Sequence, residues 1–339
     1  MTSVKEFRVE EAATPERLGQ GAFVFTDDYS VFDWGKMPDA IPNKGASLCT
    51  MGATNFELLE DADIPTHYRG VVSNGNVVPM AEAGNPPREM AIDLTRVPDL
   101  PHEGRDYDYD AFHAEAEENY LIPLEIVFRN TVPVGSSLRG RADPADFDLE
   151  YDEWPDEPVD LPEAVVEFST KFEESDRYLT RQEADRIAGL ADVDTLEETA
   201  RAVNDLVTDQ AAEAGLVHED GKIECLYFEG EIRVADVVGT FDENRFSYDG
   251  QQLSKEVIRQ YHRREQPEWV DAVGEAKSRA KAEDVADWRT LCAVDPEPLP
   301  KHVVDAARDM YTAGANAYIG RDLFDAPDLP EAVETIRGL

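Results

Sequence analysis

The segment from Val217 to Phe246 constrains the fold most, because its pattern predicts a β-hairpin with ionisable side chains on one face. Asp220, Lys222 and Glu224 alternate with small or apolar residues, which is the two-residue period of a strand with one polar face. After a turn, a second apolar strand leads to Asp236. The segment therefore predicts a carboxylate-rich hairpin at the centre of the chain.

Glu224 and Asp236 are the candidate ligands of a divalent cation, because Mg²⁺ in proteins is held by one or two carboxylates together with water and substrate phosphate. The register of the hairpin decides whether the two side chains face each other. A two-residue loop at Glu229-Gly230 pairs Glu224 with Ala235, whereas a three-residue loop ending at Glu231 pairs it with Asp236. We predict the three-residue loop and a magnesium site. A solvated hairpin of a very acidic protein is the alternative.

Charge restricts the partners of this chain. Its 339 residues include 73 acidic and 32 basic side chains, with a net charge of -41, so its field repels nucleic acid and anionic membranes. Because 42% of the residues are hydrophobic and 9% are aromatic, we expect a packed core and not a disordered acidic chain. Adaptation to a halophilic cytoplasm explains the charge, since 1 M salt shortens the Debye length to about 3 Å. No signal peptide or membrane-spanning run is visible.

A second stretch carries features of an anion site. The predicted strand from Leu121 to Arg129 has Glu125 and Arg129 on one face, because residues four apart in a strand point the same way. The following turn, with Ser136 after Gly135, offers backbone N–H groups and a hydroxyl to an anion beside Arg129. The alternative is structural, with Glu125 paired to another cation and Arg129 at a strand end.

Other patterns predict the surrounding elements. The residues Thr180 to Glu183 form a capping box that begins a helix, and a longer amphipathic helix follows over 195–214. In a helix predicted over 252–261, Lys255 and Arg259 are four residues apart, so they either flank an anion or are neutralised by a nearby acid. The acidic, tyrosine-rich segment 98–119 is expected to be an exposed excursion.

The order of these motifs resembles that of the SAICAR synthetase family, the phosphoribosylaminoimidazole-succinocarboxamide synthases of purine biosynthesis. The resemblance extends over most of the chain and is carried by several separate motifs. The matching stretches are Phe32-Asp33 with 41–45 (IPNKG), 65–68 (PTHY), 123–129 (PLEIVFR), Gly135-Ser136, 220–224 (DGKIE), Asp236, Arg245 and 296–324.

The resemblance implies an α+β, two-lobed fold. An antiparallel sheet lobe over residues 1–120 would cover the nucleotide. A larger mixed α/β lobe over residues 121–339 would hold the substrate and metal site and the C-terminal helices. The implied reaction is ATP-driven ligation of L-aspartate to carboxyaminoimidazole ribonucleotide (CAIR), which gives SAICAR, ADP and phosphate. ATP and Mg²⁺ are then required, small molecules are the partners, and self-association into a homo-oligomer stays open.

The resemblance also implies roles for individual residues. Those roles are ribose-phosphate binding by Arg129, Ser136 and Arg245; orientation of substrate amines or the metal shell by Asp176 and Asp220; charge stabilisation at the acyl phosphate by Lys222; substrate contacts by Glu125 and Lys255; nucleotide contacts by Gly19, Gly21, Lys44 and Glu224; and Mg²⁺ binding by Glu224 and Asp236.

One departure from the family pattern motivates a rival hypothesis. The lysine-bearing first strand of the family is aligned here with Leu18 to Ala22, where no lysine stands, and Arg17 is the candidate replacement. A paralogue that keeps the ribonucleotide pocket but has lost ATP chemistry, as a lyase or hydrolase, is the rival. A binding module without enzymatic activity is the third hypothesis.

Overall fold

The first lobe is an antiparallel sheet. The computed structural model describes residues 5–174, 176–283, 285 and 287–339. The strands of this sheet are β1 (Lys5–Glu11), β2 (Gly19–Phe25), β3 (Tyr68–Ser73), β4 (Asn76–Val78) and β5 (Glu89–Leu94), and they lie in the order β1-β2-β5-β3-β4. The helix α1 (Lys44–Asp61) packs against the sheet, and it is buried along most of its length because the second lobe covers its other face.

The second lobe is built around one long strand. Its strands and a small hairpin are β6 (His102–Glu103), β7 (Asp106–Tyr107), β8 (Asn119–Leu121), β9 (Leu124–Val132), β10 (Val159–Thr170), β11 (Val217–Phe228), β12 (Glu231–Ala235), β13 (Arg245–Tyr248) and β14 (Gln251–Gln252). The sheet order is β10-β9-β11-β13-β14, with β8 and β12 also paired to β11, while β6 and β7 form a separate two-stranded sheet. The strand predicted to be central is therefore the central one.

Helices surround this sheet. Their bounds are α2 (Tyr109–Ala116), α3 (Arg181–Ala188), α4 (Val193–Glu213), α5 (Lys255–Glu265), α6 (Pro267–Glu283), α7 (Lys301–Ile319) and α8 (Leu329–Arg337). The predicted capping box begins α3: the Thr180 hydroxyl accepts from the Glu183 N–H, and the Glu183 carboxylate accepts from the Thr180 N–H. Within the described residues, every helix is too short or too polar to span a lipid bilayer.

The two lobes are joined through buried polar contacts. Asn55 of α1 donates from Nδ2 to the carbonyls of Val238 and Gly239 at 3.0 and 3.1 Å, and it accepts from the Tyr318 hydroxyl at 2.7 Å. Gly239 has φ +67°, and a Cβ there would lie 2.2 Å from the Asn55 amide. A side chain at Gly239 would thus separate the lobes. The boundary predicted at residue 120 falls inside β8.

The segment 98–119 is not simply an exposed excursion. It forms the β6–β7 hairpin and then α2, whose Tyr109 and Phe112 are buried. The Phe112 ring contacts Phe172 at 5.9 Å between centroids. The segment buries aromatic side chains against the second lobe and leaves its acidic side chains in solvent. This arrangement explains why the segment is rich in both tyrosine and acidic residues.

Because His218 is buried, we expect the free energy of unfolding to fall at acid pH. Its buried ring stacks on Phe246 and contacts the Thr208 hydroxyl at 2.8 Å, and burial lowers its pKa to about 3. Because the folded-state pKa lies below the ordinary value of about 6.5, the neutral ring stabilises the fold fully above pH 6.5. That contribution is lost at up to about 1.4 kcal/mol per pH unit as the pH falls toward 3.

We expect chemical unfolding between pH 8 and pH 4 to show this loss in the wild type. His218→Asn should give a shallower acid limb, whereas His302→Gln, which changes an exposed histidine, should reproduce the wild-type curve. Parallel acid limbs for wild type and His218→Asn would contradict the assignment.

Candidate active site

Two of the predicted site residues on β11, Lys222 and Glu224, lie in a cluster of opposite charges at the junction of the lobes. Lys222 pairs with Glu125 of β9, and its Nζ is 3.7 Å from the Glu243 carboxylate. Burial would lower the pKa of Lys222, but Glu243, Glu125 and Glu224 outweigh it and raise the pKa, so the side chain stays an ammonium. We call the whole group the acid–lysine cluster; its members are Lys5, Lys171, Lys222, Glu125, Glu224, Asp236 and Glu243.

The loop of the central hairpin has two residues, so the prediction of a three-residue loop is wrong. Phe228 pairs with Glu231 and Glu224 with Ala235. Glu229 and Gly230 have φ values of +48° and +87°, which suit the two-residue turn whose twist matches that of the flanking strands. Asp236 then lies one residue beyond the ladder, with φ +63°.

Asp236 lies beyond the last paired residue of β12. Its carboxylate therefore reaches the acid–lysine cluster even though Asp236 does not pair with Glu224 across the hairpin. Lys5 of β1 donates to Asp236, and Lys171 is 2.5 Å from Glu224. Burial, followed by the negative charge of Asp236, raises the pKa of Glu224 to about 7. Burial acts in the same direction on Asp236, but the Lys5 ammonium outweighs it and lowers the pKa of Asp236. The two carboxylates therefore share one electrostatic environment, although the predicted pairing of Glu224 with Asp236 across the hairpin does not form.

Asp220 holds two arginines at the other end of the same strand. It lies opposite Arg129 on β9 and opposite Arg245 on β13. Its carboxylate accepts from Arg129 at 3.3 Å and twice from Arg245, at 2.8 and 2.7 Å. Arg129 is buried and also donates to Glu167 at 2.9 Å and to the Tyr178 hydroxyl at 2.9 Å. The network fixes both guanidinium groups at neighbouring positions on the sheet.

The remaining predicted substrate residues have distinct surroundings. Ser136 is mostly buried and caps a short 3-10 turn by accepting from the Leu138 N–H. Lys255 begins α5 and is half-buried. Burial would raise the pKa of the Asp242 carboxyl, but the charges of Lys44 and then Lys255 outweigh it and lower that pKa. Asp176 is exposed at the edge of the acid–lysine cluster. Burial of part of its carboxyl, followed by the Glu125 charge, raises the pKa of Asp176.

Packing explains the residue type at three positions that were predicted to contact nucleotide: Gly19, Gly21 and Lys44. A Cβ at Gly19 would lie 2.3 Å from the Glu11 carbonyl, and one at Gly21 would lie 2.4 Å from the Arg8 carbonyl, so the β1–β2 pairing requires glycine at both positions. Lys44 is fully buried and pairs with Asp242 at 2.6 Å. This burial favours a structural role for Lys44 over the predicted contact with nucleotide.

Two lysines of the cluster were missed by the sequence reasoning. Lys5 is the first residue of β1 and has Phe7 and Val9 on the same strand face, and this two-residue period is the signal that could have identified the strand. The stretch aligned with the family's lysine-bearing strand, 18–22, indeed has no lysine and begins β2, but Lys5 of the neighbouring strand β1 brings an ammonium to the cluster. The candidate replacement, Arg17, forms an exposed ion pair with Glu11. Lys171 directly follows β10, and nothing in its local sequence distinguished it from a surface lysine.

The donor set around Glu224 and Asp236 fits Mg²⁺. Both are carboxylates, the hard oxygen donors that this ion prefers. Three ammonium groups now balance the negative charge, so the site already accommodates positive charge. Among the described residues, no group of three or more His, Cys, Asp or Glu side chains could enclose a metal.

Comparison with known proteins shows the family of this chain. The family model described as SAICAR synthetase matches residues 13–276. The chain belongs to the SAICAR synthetase family. The match includes β9, the central hairpin and Arg245, but begins after β1, so Lys5 lies outside it.

Relatives within the SAICAR synthetase family match along most of the chain. A protein of Archaeoglobus fulgidus, whose name gives phosphoribosylaminoimidazole-succinocarboxamide synthase as a provisional assignment, is 42% identical over 345 residues and covers 99% of both chains. A phosphoribosylaminoimidazole-succinocarboxamide synthase of Thermoplasma acidophilum is 32% identical over 302 residues, 85% of this chain and 89% of its own. The resemblance on which the family prediction was based is thus confirmed.

Solved SAICAR synthetases share the fold. The Saccharomyces cerevisiae enzyme, in complex with SAICAR, has a TM-score of 0.61 at 19% identity and covers 94% of this chain and 93% of its own. A SAICAR synthetase in complex with ADP has a TM-score of 0.54 at 24% identity and covers 76% of this chain and 88% of its own. The predicted α+β SAICAR synthetase fold is confirmed.

Proposed function

We propose that this chain is an ADP-forming carbon–nitrogen ligase that joins L-aspartate to CAIR, and that the acid–lysine cluster is its reaction centre. Family membership supports the reaction class. The observation that carries the proposal is the meeting of both lobes at Glu224 and Asp236, where Lys5 from the first lobe and Lys171 from the second balance the two carboxylates. Such a junction lets one lobe present a nucleotide to a substrate held by the other.

The nucleotide would bind on the open face of β1 in the first lobe. Lys5, Phe7 and Val9 share that face, and Phe7 and Val9 remain more than half exposed. The Phe23 ring lies 4.9 Å from the Phe7 ring and 4.6 Å from Lys5 Nζ, so the apolar surface and the ammonium adjoin each other. The base of the nucleotide would pack on this apolar surface, and the phosphates of the nucleotide would pair with the Lys5 ammonium. Gly19 and Gly21 would keep the backbone of β2 close to this face.

Glu224 and Asp236 would hold Mg²⁺. When bound, the ion would neutralise charge on the phosphoryl group of ATP. Lys5 and Lys171 would then be available to phosphate oxygens, since each is paired with one of the two carboxylates that would bind the metal. Lys222 would stabilise negative charge where the acyl phosphate forms, and the Glu125 carboxylate would hold that ammonium in position.

The ribonucleotide phosphate would bind near Arg129 and Arg245. Asp220 accepts from both guanidinium groups and fixes them, while each group keeps N–H donors beyond those bonds. Ser136 follows the same strand as Arg129 and would contribute its hydroxyl or backbone N–H. Lys255 would add a further cation, because it makes no ion pair or side-chain hydrogen bond among the described residues.

The paralogue without ATP chemistry is not favoured. That alternative was motivated by the missing lysines at Leu18 to Ala22, and Lys5 of β1 brings an ammonium beside Asp236 in their place. The acidic surface supports activity in a salt-rich cytoplasm, since screening by salt weakens repulsion among 73 carboxylates.

The test is an assay of purified protein with ATP, Mg²⁺, CAIR and L-aspartate in molar potassium chloride. We expect ADP and SAICAR to form in equal amounts, with no ADP when L-aspartate or CAIR is omitted. Chelation of the metal should stop the reaction, and dialysis into dilute buffer should lower the rate. Binding of CAIR without any binding of ATP would instead support the paralogue.

A further inference from the structure

The loop 239–245 connects the junction of the lobes with the proposed reaction centre. At its start, the Gly239 carbonyl accepts from an amide of α1 at 3.1 Å. Near its end, the Glu243 carboxylate lies 3.7 Å from Lys222 Nζ, and Arg245 is one of the two arginines proposed to bind the ribonucleotide phosphate. The position of this loop therefore affects two side chains that would act on substrate.

Asn244 lies behind the backbone of this loop. Partly exposed and buried positions alternate over 243–246, and Asn244 is only 3% exposed. Phe246, two residues further along the chain, is also buried. Because alternate residues of an extended chain point to opposite sides, Asn244 faces the core while Glu243 and Arg245 face the site.

The Asn244 amide connects the loop to the core. The Gly239 N–H donates to Asn244 Oδ1 at 3.1 Å. A backbone N–H can only donate, so this bond directs the amide oxygen to Gly239 and the amide nitrogen to His218. Asn244 Nδ2 then donates to His218 Nε2 at 2.8 Å, and His218 Nδ1 lies 2.8 Å from the hydroxyl of Thr208 in α4. One side chain thus closes the loop on itself and anchors it to β11 and α4.

Gly221 leaves the space that this amide occupies. A Cβ at Gly221 would lie 1.9 Å from Asn244 Nδ2, its nearest neighbour, and 2.5 Å from Asn244 Cγ. Gly221 does not have the left-handed φ that favours glycine, so space and not backbone conformation explains the residue type. Its neighbours on β11, Asp220 and Lys222, point to the opposite side of the sheet. A side chain at Gly221 would therefore disturb Asn244 from the side of the core.

We propose that Asn244 is a positioning residue of the ligase: it holds the backbone that presents Glu243 and Arg245 to substrate, and Gly221 makes room for it. The ion pairs of Glu243 and Arg245 are made with other charged groups of the site, so substrate charges compete with them. The hydrogen bonds of Asn244 involve no group that faces substrate, and they persist when the ribonucleotide binds. The inference rests on the proposed function and adds a core residue to it.

The first experiment measures the steady-state kinetics of Asn244→Ala. The change leaves the Gly239 N–H and His218 Nε2 without partners and frees the loop. We expect KM for CAIR to rise about tenfold through Arg245 and kcat to fall about tenfold through Lys222, while KM for ATP stays within about twofold of wild type. A smaller folded fraction alone would lower kcat and leave every KM unchanged.

Asn316→Ala is the matched control. The Asn316 amide accepts from the N–H groups of Leu323 and Phe324 at 2.9 Å and donates to the Phe324 carbonyl at 2.9 Å, so it also closes a loop, the one after α7. KM for CAIR in this variant should stay within about twofold of wild type. If KM for CAIR in Asn244→Ala equalled that of the control, the positioning role would be overturned.

Gly221→Ala tests the same contact from the opposite side. Its Cβ should displace the Asn244 amide and raise KM for CAIR about tenfold, without altering a group that faces substrate. Gly274→Ala controls for the substitution, since a Cβ there meets no atom within 4 Å. Asn244→Ala creates no clash and decides the proposal if Gly221→Ala does not fold.

The double variant Gly221→Ala with Asn244→Ala tests whether both positions act through one contact. KM for CAIR should rise no more than in the more affected single variant, because the contact can be lost only once. Increases that multiply in the double variant would mean that the two positions act independently, and would overturn the proposed route through Asn244.

Calorimetric titration with CAIR tests the role even if the wild type forms no SAICAR, a result that would overturn the proposed function. CAIR binding that is present in the wild type and in Asn316→Ala, but at least about tenfold weaker in Asn244→Ala, supports the role. Equal binding to the wild type and Asn244→Ala, or no binding to either, overturns it.

Discussion

Asp236→Asn is expected to lower kcat/KM for SAICAR formation by about a thousandfold, or roughly 4 kcal/mol of transition-state stabilisation. The amide keeps the size of the side chain but removes one of the two negative charges proposed to bind Mg²⁺. It also leaves the buried Lys5 ammonium without its partner. Release of ADP in a coupled assay, together with direct Mn²⁺ binding in the presence of ADP, measures both consequences.

The matched control for this change is Asp249→Asn. Asp249 is an exposed carboxylate in the β13–β14 turn that pairs with Arg337 at 2.8 Å, so the same substitution there should leave turnover within about twofold of wild type. Unfolding curves of both variants establish that the protein is folded in the assay. If folded Asp236→Asn turned over at the wild-type rate and bound Mn²⁺ normally, the metal would have to be held elsewhere.

Lys44→Met is expected to lower the free energy of unfolding by about 3–5 kcal/mol, because removing one partner of a buried ion pair leaves the other charge unbalanced. Lys44 is fully buried, and its partner Asp242 also accepts from the Tyr311 hydroxyl at 2.8 Å. The pair connects the start of α1 with the second lobe. Denaturant unfolding at constant molar salt measures the loss.

Two further variants test the cause. Lys36→Met removes an exposed lysine that pairs with Asp28 at 2.8 Å, and it should cost less than about 1 kcal/mol. Lys44→Met combined with Asp242→Asn removes both charges and should recover part of the lost stability. If Lys44 contacted nucleotide, as the sequence suggested, Lys44→Met would raise KM for ATP without a comparable loss of stability.

Features that depend on neighbours in sequence were predicted well. The capping box at Thr180 begins α3, and the alternation of Asp220, Lys222 and Glu224 lies on β11. Each of these signals is local, because a cap joins residues three apart and a strand face repeats every second residue. The importance of β11 also followed from its pattern, since few strands carry three alternating charged residues.

Features that depend on distant contacts were not predictable from the pattern. The hairpin loop was predicted one residue too long, because composition at 229–231 suits either length and strand twist favours two residues. Lys5 reaches Asp236 across 231 positions of sequence, and nothing near either residue indicates the contact. The resemblance implies a nucleotide contact for Lys44, but its burial beside Asp242 could be seen only once α1 had packed against the second lobe.

The sequence by itself determined the central hairpin, the start of α3, the large excess of carboxylates and, through ordered motifs, membership of the SAICAR synthetase family. Only the tertiary structure decided which charges meet: Lys5 with Asp236, Lys171 with Glu224, and two arginines with Asp220. The reason is physical. Backbone geometry repeats over two to four residues and is encoded locally, whereas the strength of an ion pair depends on distance and burial, which exist only after the lobes pack together.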